Sequence, residues 1–130
     1  MNTPATPFHL DSYRWQNRLL LIFSPAFSTP TYQRQKALLA DCTPGLQERD
    51  LLVVEIFVTD ASTFNGQPLS AKDAARLGVR FAVDPQEFAV LLIGKDGTVK
   101  RRDRQPIQPE DLFSTIDAMP LRQHELSAQN

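Results

Sequence analysis

Leu19-Leu20-Leu21-Ile22-Phe23 contains no polar position, and Leu51-Leu52-Val53-Val54-Glu55-Ile56-Phe57-Val58 nearly repeats the pattern later in the chain. A strand with one wetted face alternates apolar with polar residues, whereas an unbroken apolar run belongs to a strand covered on both faces. Two such runs require a central sheet with a layer on each side. At 130 residues the chain has the size of one domain and is expected to bury roughly two-thirds of its unfolded surface. No repeat or interdomain linker interrupts it, so residues 1–130 read as a single domain.

Cap and turn chemistry supplies the covering layers. Thr29-Pro30 reads as a helix start, with Thr as N-cap and Pro in the first helical position. Leu38, Leu39 and Cys42 share one face of that helix, which Thr43-Pro44-Gly45 is expected to stop. Asn65-Gly66 marks a turn. Ser70 and Asp73 form a capping-box-like pair for a short helix that Gly78 ends. Residues 88–93 and 98–102 flank Gly94-Lys95-Asp96-Gly97, and an Asp-Gly step between strands predicts a tight antiparallel hairpin. Gln108-Pro109-Glu110 opens a last helix, in which Leu112, Phe113, Ile116 and Met119 form the apolar stripe and Pro120 sets the limit. Residues 1–13 read as an irregular lead-in, with Tyr13-Arg14-Trp15 packing the entrance of the first strand. Residues 121–130 read as a polar extension, either docked or a flexible tail.

The element order is therefore β-α-β-α-β-β-α. Two strand–helix–strand crossovers demand parallel or mixed pairing, and the hairpin adds an antiparallel edge. The expected class is α/β, with a mixed central sheet and helices on both faces. That order is the core of a thioredoxin-like fold, and Leu77-Gly78-Val79-Arg80 through Gly94-Lys95-Asp96-Gly97-Thr98-Val99 resembles the stretch that enters the hairpin of peroxiredoxin-like proteins. A wider resemblance covers nearly the whole chain. It is carried by Leu10-Asp11-Ser12-Tyr13-Arg14-Trp15 with Asn17-Arg18-Leu19-Leu20-Leu21, by Glu48-Arg49-Asp50-Leu51, by Gly94-Lys95-Asp96-Gly97, and by Ile116-Asp117-Ala118-Met119-Pro120-Leu121-Arg122-Gln123-His124-Glu125. On these motifs the chain resembles a thioredoxin- or peroxiredoxin-like family described as a domain of unknown function, similar to the C-terminal domains of sushi-repeat-containing extracellular proteins. The resemblance implies an altered active site, no established activity, and a structural anchoring role for the motif around Arg122 and Glu125.

The thioredoxin-like reading directs attention to the junction after the first strand, Ser24-Pro25-Ala26-Phe27-Ser28-Thr29-Pro30-Thr31, where such proteins carry their reactive cysteine because a helix N-terminus stabilises a thiolate. Here the junction holds hydroxyls, which are far less acidic than a thiol. The only cysteine, Cys42, is placed about three turns along the helix as a small buried filler. The docking proline before the third strand is missing in register as well, Phe88 standing nearest that position and Pro85 three residues earlier. Two functions follow. The first is a non-catalytic module binding a protein, peptide or small anion in a groove at Ser24, Ser28, Thr29, Thr31, Thr59 and Asp60, the residues at the helix start and the strand ends. The bland alternative is that the hydroxyls only cap the helix. The second function is an atypical single-cysteine thiol oxidoreductase acting through Cys42.

Lys95, Lys100, Arg101, Arg102 and Arg104 crowd the hairpin as a possible basic patch for nucleic acid, a sulfated glycan or an acidic partner; the bland reading is protection of an edge strand. A formal net charge of −1 and no aromatics interleaved with that cluster disfavour nucleic acid. His9 and His124 lack neighbours at metal-ligand spacing, so neither a metal nor a cofactor is expected. No apolar run reaches the roughly eighteen residues of a membrane span, and residues 1–10 lack the pattern of a leader. The chain as written reads as cytoplasmic, or as periplasmic or secreted where a leader has been removed.

Overall fold

Strand β1 (Arg18–Ser24) lies at the centre of a six-stranded sheet and is buried along its whole length, as its unbroken apolar run requires. The computed structural model describes residues 7–128. The strands are ordered β4-β3-β2-β1-β5-β6. β2 (Leu51–Phe57) runs parallel to β1, from Arg18 opposite Leu51 to Ser24 opposite Phe57. β5 (Ala89–Ile93) is antiparallel on the other side, and β6 (Val99–Asp103) closes that edge. The mixed sheet expected from the element order is what forms.

Side chains alternate across the sheet. Leu19, Leu21 and Phe23 meet Val54, Ile56, Leu91 and Ile93 in a core covered by helix α3 (Ala71–Arg80) and by Leu10, Phe8 and Tyr13 of the lead-in. Leu20 and Ile22 meet Val90 and Leu92 in a second core, covered by α1 (Pro30–Leu39), α2 (Thr43–Glu48) and α4 (Pro109–Asp117) through Tyr32, Leu39, Leu46, Leu112 and Ile116. Helices thus cover both faces.

Two local expectations, at Thr43-Pro44-Gly45 and at the β5–β6 loop, are corrected, and two others, at Asn65-Gly66 and in the C-terminal extension, are made specific. The first helix ends at Leu39, and Thr43-Pro44-Gly45 starts α2 instead of stopping α1. Proline at the second position of a helix is unstrained, because the amide it lacks has no intrahelical acceptor there. Asn65-Gly66 forms the two-residue turn of a hairpin, β3 (Ser62–Phe64) with β4 (Gln67–Leu69), whose strands are too short to show a period. Both turn residues have positive φ, +48° at Asn65 and +82° at Gly66, as such a turn demands. Between β5 and β6 the loop is longer than a two-residue turn: Ile93 pairs with Val99, with a register shift beside it. The C-terminal extension takes its docked form, α5 (Pro120–Ala128).

Of the lead-in, Leu10–Tyr13 forms a turn of 3-10 helix with Leu10 buried, and positions 1–6 lie outside the described residues, as do 129–130 of the extension. Tyr13 packs against the core as expected, whereas Trp15 points to solvent.

Candidate functional site

The junction after β1 satisfies its own polar groups. The buried Ser24 hydroxyl donates to Ala26 O at 2.9 Å, and the Thr29 hydroxyl accepts from Ala26 N at 3.2 Å. Thr29 stands at the N-cap of α1 but makes no capping bond, because its hydroxyl is spent on the loop behind it. Asp60, from the loop after β2, accepts from Phe27 N at 2.8 Å and from the Thr59 hydroxyl at 3.1 Å. Thr59 Oγ1 is also 3.2 Å from Pro25 O. A carboxylate of the chain itself therefore sits against the loop amide that a small anion would need, and repels one. Ser28 lies exposed and Thr31 half-buried beside this arrangement.

The larger feature lies on the α3 face of the same strand ends. Helix α3 crosses the sheet with Ala71, Ala74, Ala75 and Gly78 toward it, none longer than a methyl group, and a cavity of about 860 Å³ remains. Phe23, Ile56 and Leu69 line its apolar floor; Asp60, Asp84 and Glu87 line its rim. Of the six groove candidates, Ser24 and Asp60 line the cavity, whereas Ser28, Thr29, Thr31 and Thr59 do not. Pro85, the displaced proline of the sequence, lines it too. The apolar surface continues outward onto Val58 and Val79, which are 59% and 82% exposed. Sequence reading missed this cavity, although one signal was present: the small residues of α3 recur on one side of the helix, where a closed core would need bulk.

The basic cluster does not form one surface. Successive strand residues point to opposite faces, and every cation of the cluster meets a carboxylate of the chain, Arg102 and Arg104 sharing Glu87. Lys95 is buried, 2.8 Å from both Asp50 and Glu125. Lys100 reaches Asp96 at 2.8 Å, which holds the Asp96 carboxyl down at about 2, and Arg101 reaches Asp103 at 2.7 Å. Arg102 donates to Phe81 O at 2.6 Å and Ala82 O at 3.2 Å, and contacts Glu87 at 3.4 Å. It thereby clamps the corner after α3, where Ala82 is held at φ +54° on the cavity wall. Arg104 meets Glu87 at 3.5 Å.

Cys42 is half-buried at the N-cap of α2, its sulfur 3.5 Å from Leu38 O, and not the core filler expected. It left that role because α1 stops before reaching it. The ten residues of α1 stand between Cys42 and the junction, roughly 15 Å of helix.

At the opposite ends of the strands a network of buried cations and partly exposed carboxylates ties α5 to the sheet. The Arg18 guanidinium, buried at the start of β1, donates to both carboxylate oxygens of Glu125, at 3.2 and 3.3 Å. Arg49 makes a two-pronged contact with Asp117 at 3.0 and 2.9 Å. Buried Arg122 reaches Asp117 at 3.1 Å and Glu48 at 3.2 Å. Arg122 also lies 3.8 Å from Glu125, three residues on in the same helix, but its shorter contacts are to other elements. Hydrogen bonds from Arg49 hold the Asp117 carboxyl below its ordinary range. Burial pushes Glu125 up, yet the bonds from Lys95 and Arg18 outweigh it and hold it low. These contacts give physical content to the motif around Arg122 and Glu125.

Among known proteins, the chain is 31% identical to sushi repeat-containing protein SRPX2 of Xenopus laevis, over 98% of this chain and 28% of that protein. It is 28% identical to human sushi repeat-containing protein SRPX, over 92% of this chain and 26% of the relative. It spans about a quarter of the length of these relatives. Among solved structures, the reduced 2-Cys peroxiredoxin of Plasmodium vivax superposes with a TM-score of 0.65 at 18% identity, covering 88% of this chain and 82% of that one. Peroxidoxin BcpB of Mycobacterium tuberculosis gives 0.62 at 15% identity, covering 88% and 87%. At such identities the likeness concerns the fold, which is thioredoxin-like, as the element order implied. Over residues 9–125 the sequence matches the profile of one family, and the chain belongs to it: the domain of unknown function DUF4174.

Proposed function

We propose that this chain is a non-catalytic thioredoxin-like module that binds its partner at the carboxyl ends of β1 and β2. The observation that carries the reading is the apolar cavity there, with no thiol among its lining residues. Ligand sites of open α/β sheets favour these strand ends, and a volume of this order suits an organic ligand or the side chains of a docked polypeptide. The hydroxyls at the junction support no acid–base or redox role, since Ser24 and Thr29 are engaged with the loop backbone. Asp60 at the Phe27 amide argues against a small anion as the guest and leaves a peptide or protein.

The alternative, thiol chemistry through Cys42, draws on the partial exposure of that sulfur. Turnover of insulin disulfides and of hydrogen peroxide separates the two. The binding module is expected to show no rate above buffer, and Cys42→Ser to behave as the native chain. A measurable rate that disappears in Cys42→Ser would overturn it. Labelling of Cys42 by a thiol reagent should be slower in the native chain than in the unfolded one, because the fold removes part of the sulfur from solvent.

A further inference from the structure

We infer that the cavity between α3 and the sheet takes an apolar side chain of a partner polypeptide whose neighbouring residues are lysine or arginine. The inference rests on the binding-module reading and names the class of partner. Three observations converge on it. The floor is apolar, and α3 leaves it open because Ala71, Ala74, Ala75 and Gly78 have no bulk to fill it. Apolar surface runs out of the cavity onto exposed Val58 and Val79, so the contact is wider than one enclosed small molecule would use. The charge at the rim is one-sided: Asp60, Asp84 and Glu87 line it, and no lysine or arginine does.

Glu87 is neutralised from outside by Arg102 and Arg104. Asp60 and Asp84 accept only from uncharged groups, Phe27 N and the Thr59 hydroxyl for the first and Gln86 N for the second, and among the described residues neither has a cationic partner. Two solvent-facing carboxylates beside an apolar opening attract a cation on the incoming chain and repel an acidic one. The outer flank of α3, which adjoins the cavity mouth at Ala75 and Val79, has the opposite character. Lys72, Arg76 and Arg80 flank Ala75 and Val79 there, with Arg76 facing Asp73 and Arg80 facing Asp11. That asymmetry orients the partner, its basic residues toward the strand ends and away from the outer face of α3.

The test uses the full chain and fluorescein-labelled ten-residue peptides read by anisotropy: alternating leucine and lysine, alternating leucine and glutamate, and alternating serine and lysine. The leucine–lysine peptide is expected to bind at least about tenfold more tightly than either other, each of which lacks one half of the match. Ala75→Phe places a ring in the cavity from an exposed helix position and is expected to weaken binding about tenfold or more. Asp60→Asn with Asp84→Asn keeps the acceptor atoms and removes the charge, and should cost about fivefold while flattening the salt dependence. These two carry the test if Ala75→Phe lowers the melting temperature.

Equal binding of the leucine–glutamate peptide, or binding indifferent to both sets of substitutions, overturns the proposal. So does a dimer in sedimentation that Ala75→Phe abolishes, because a second copy would then be the occupant. Failure here leaves Cys42-dependent turnover unmeasured and so is distinct from failure of the binding-module reading, which turnover alone decides.

Discussion

Ala82 sits at φ +54°, where a side chain crowds the following carbonyl at a cost of roughly 1 kcal/mol or more. Nothing in Phe81-Ala82-Val83 announces this, since glycine or asparagine is the usual signal for that conformation. The corner is held from outside: Arg102 donates to the carbonyls of Phe81 and Ala82 from the neighbouring strand edge. Ala82→Gly should therefore raise stability, by up to about 1 kcal/mol after glycine's greater freedom in the unfolded chain is set against the relief of strain. Chemical denaturation checks it; a midpoint at or below that of the native chain would show that the corner is unstrained. The same contact gives Arg102, which the sequence shows only as one cation of a cluster, a structural task. Its role is a matter of where its carbonyl acceptors lie, which local sequence does not state.

At the scale of elements, α5 illustrates a helix placed by charge more than by apolar area. Leu121 is 37% exposed, while Arg122 is buried between α4 and α2 with Asp117 and Glu48 as partners. Arg122→Ala removes a buried cation whose partners keep some solvent and, for Asp117, a second arginine. The loss is expected to be about 2–3 kcal/mol, below the full cost of stranding a buried charge. A melting temperature unchanged by Arg122→Ala would show that α5 is docked by something else. The hairpin β3–β4 makes the complementary point. Its turn was visible as Asn65-Gly66, but its three-residue strands owe their existence to pairing with β2, a long-range contact.

Across the whole molecule, the ion network joins the two ends of the chain, with Arg18 and Glu125 bonded across the amino end of β1. The Asp117 and Glu125 carboxyls are both held below their usual values, 3.8 and 4.5, by the cations around them. In the unfolded chain those groups titrate normally, so on acidification the unfolded state takes up protons first. Their stabilisation is complete above the usual carboxylate range and is lost as pH falls through it toward the lowered folded values. Asp73, held low chiefly by the Phe8 amide, and Asp96, at about 2 through Lys100, act in the same direction. Urea midpoints should therefore fall between pH 6 and pH 3, and fall less in Asp117→Asn combined with Glu125→Gln. Identical slopes in the two proteins would remove the network from the acid response.

The amino-acid sequence alone determined the features that arise from neighbours along the chain. Unbroken apolar runs placed β1 and β2 at the centre of a covered sheet, and Ser70 was recognisable as the cap of α3, whose hydroxyl accepts from Asp73 N. The lack of a thiol in the junction Ser24–Thr31 is likewise a property of the string of letters. Tertiary structure alone decided which hydroxyls were already engaged, that Asp60 would stand against the Phe27 amide, and that the small side of α3 would face a hollow instead of a neighbour. It also chose the carboxylates that Arg18, Lys95, Arg49 and Arg122 meet, which for Arg122 lie mainly on other elements and not on the Glu125 of its own motif. Periodicity reports which residues leave water; it carries no information on which distant group each will meet, and a cavity is the absence of such a meeting.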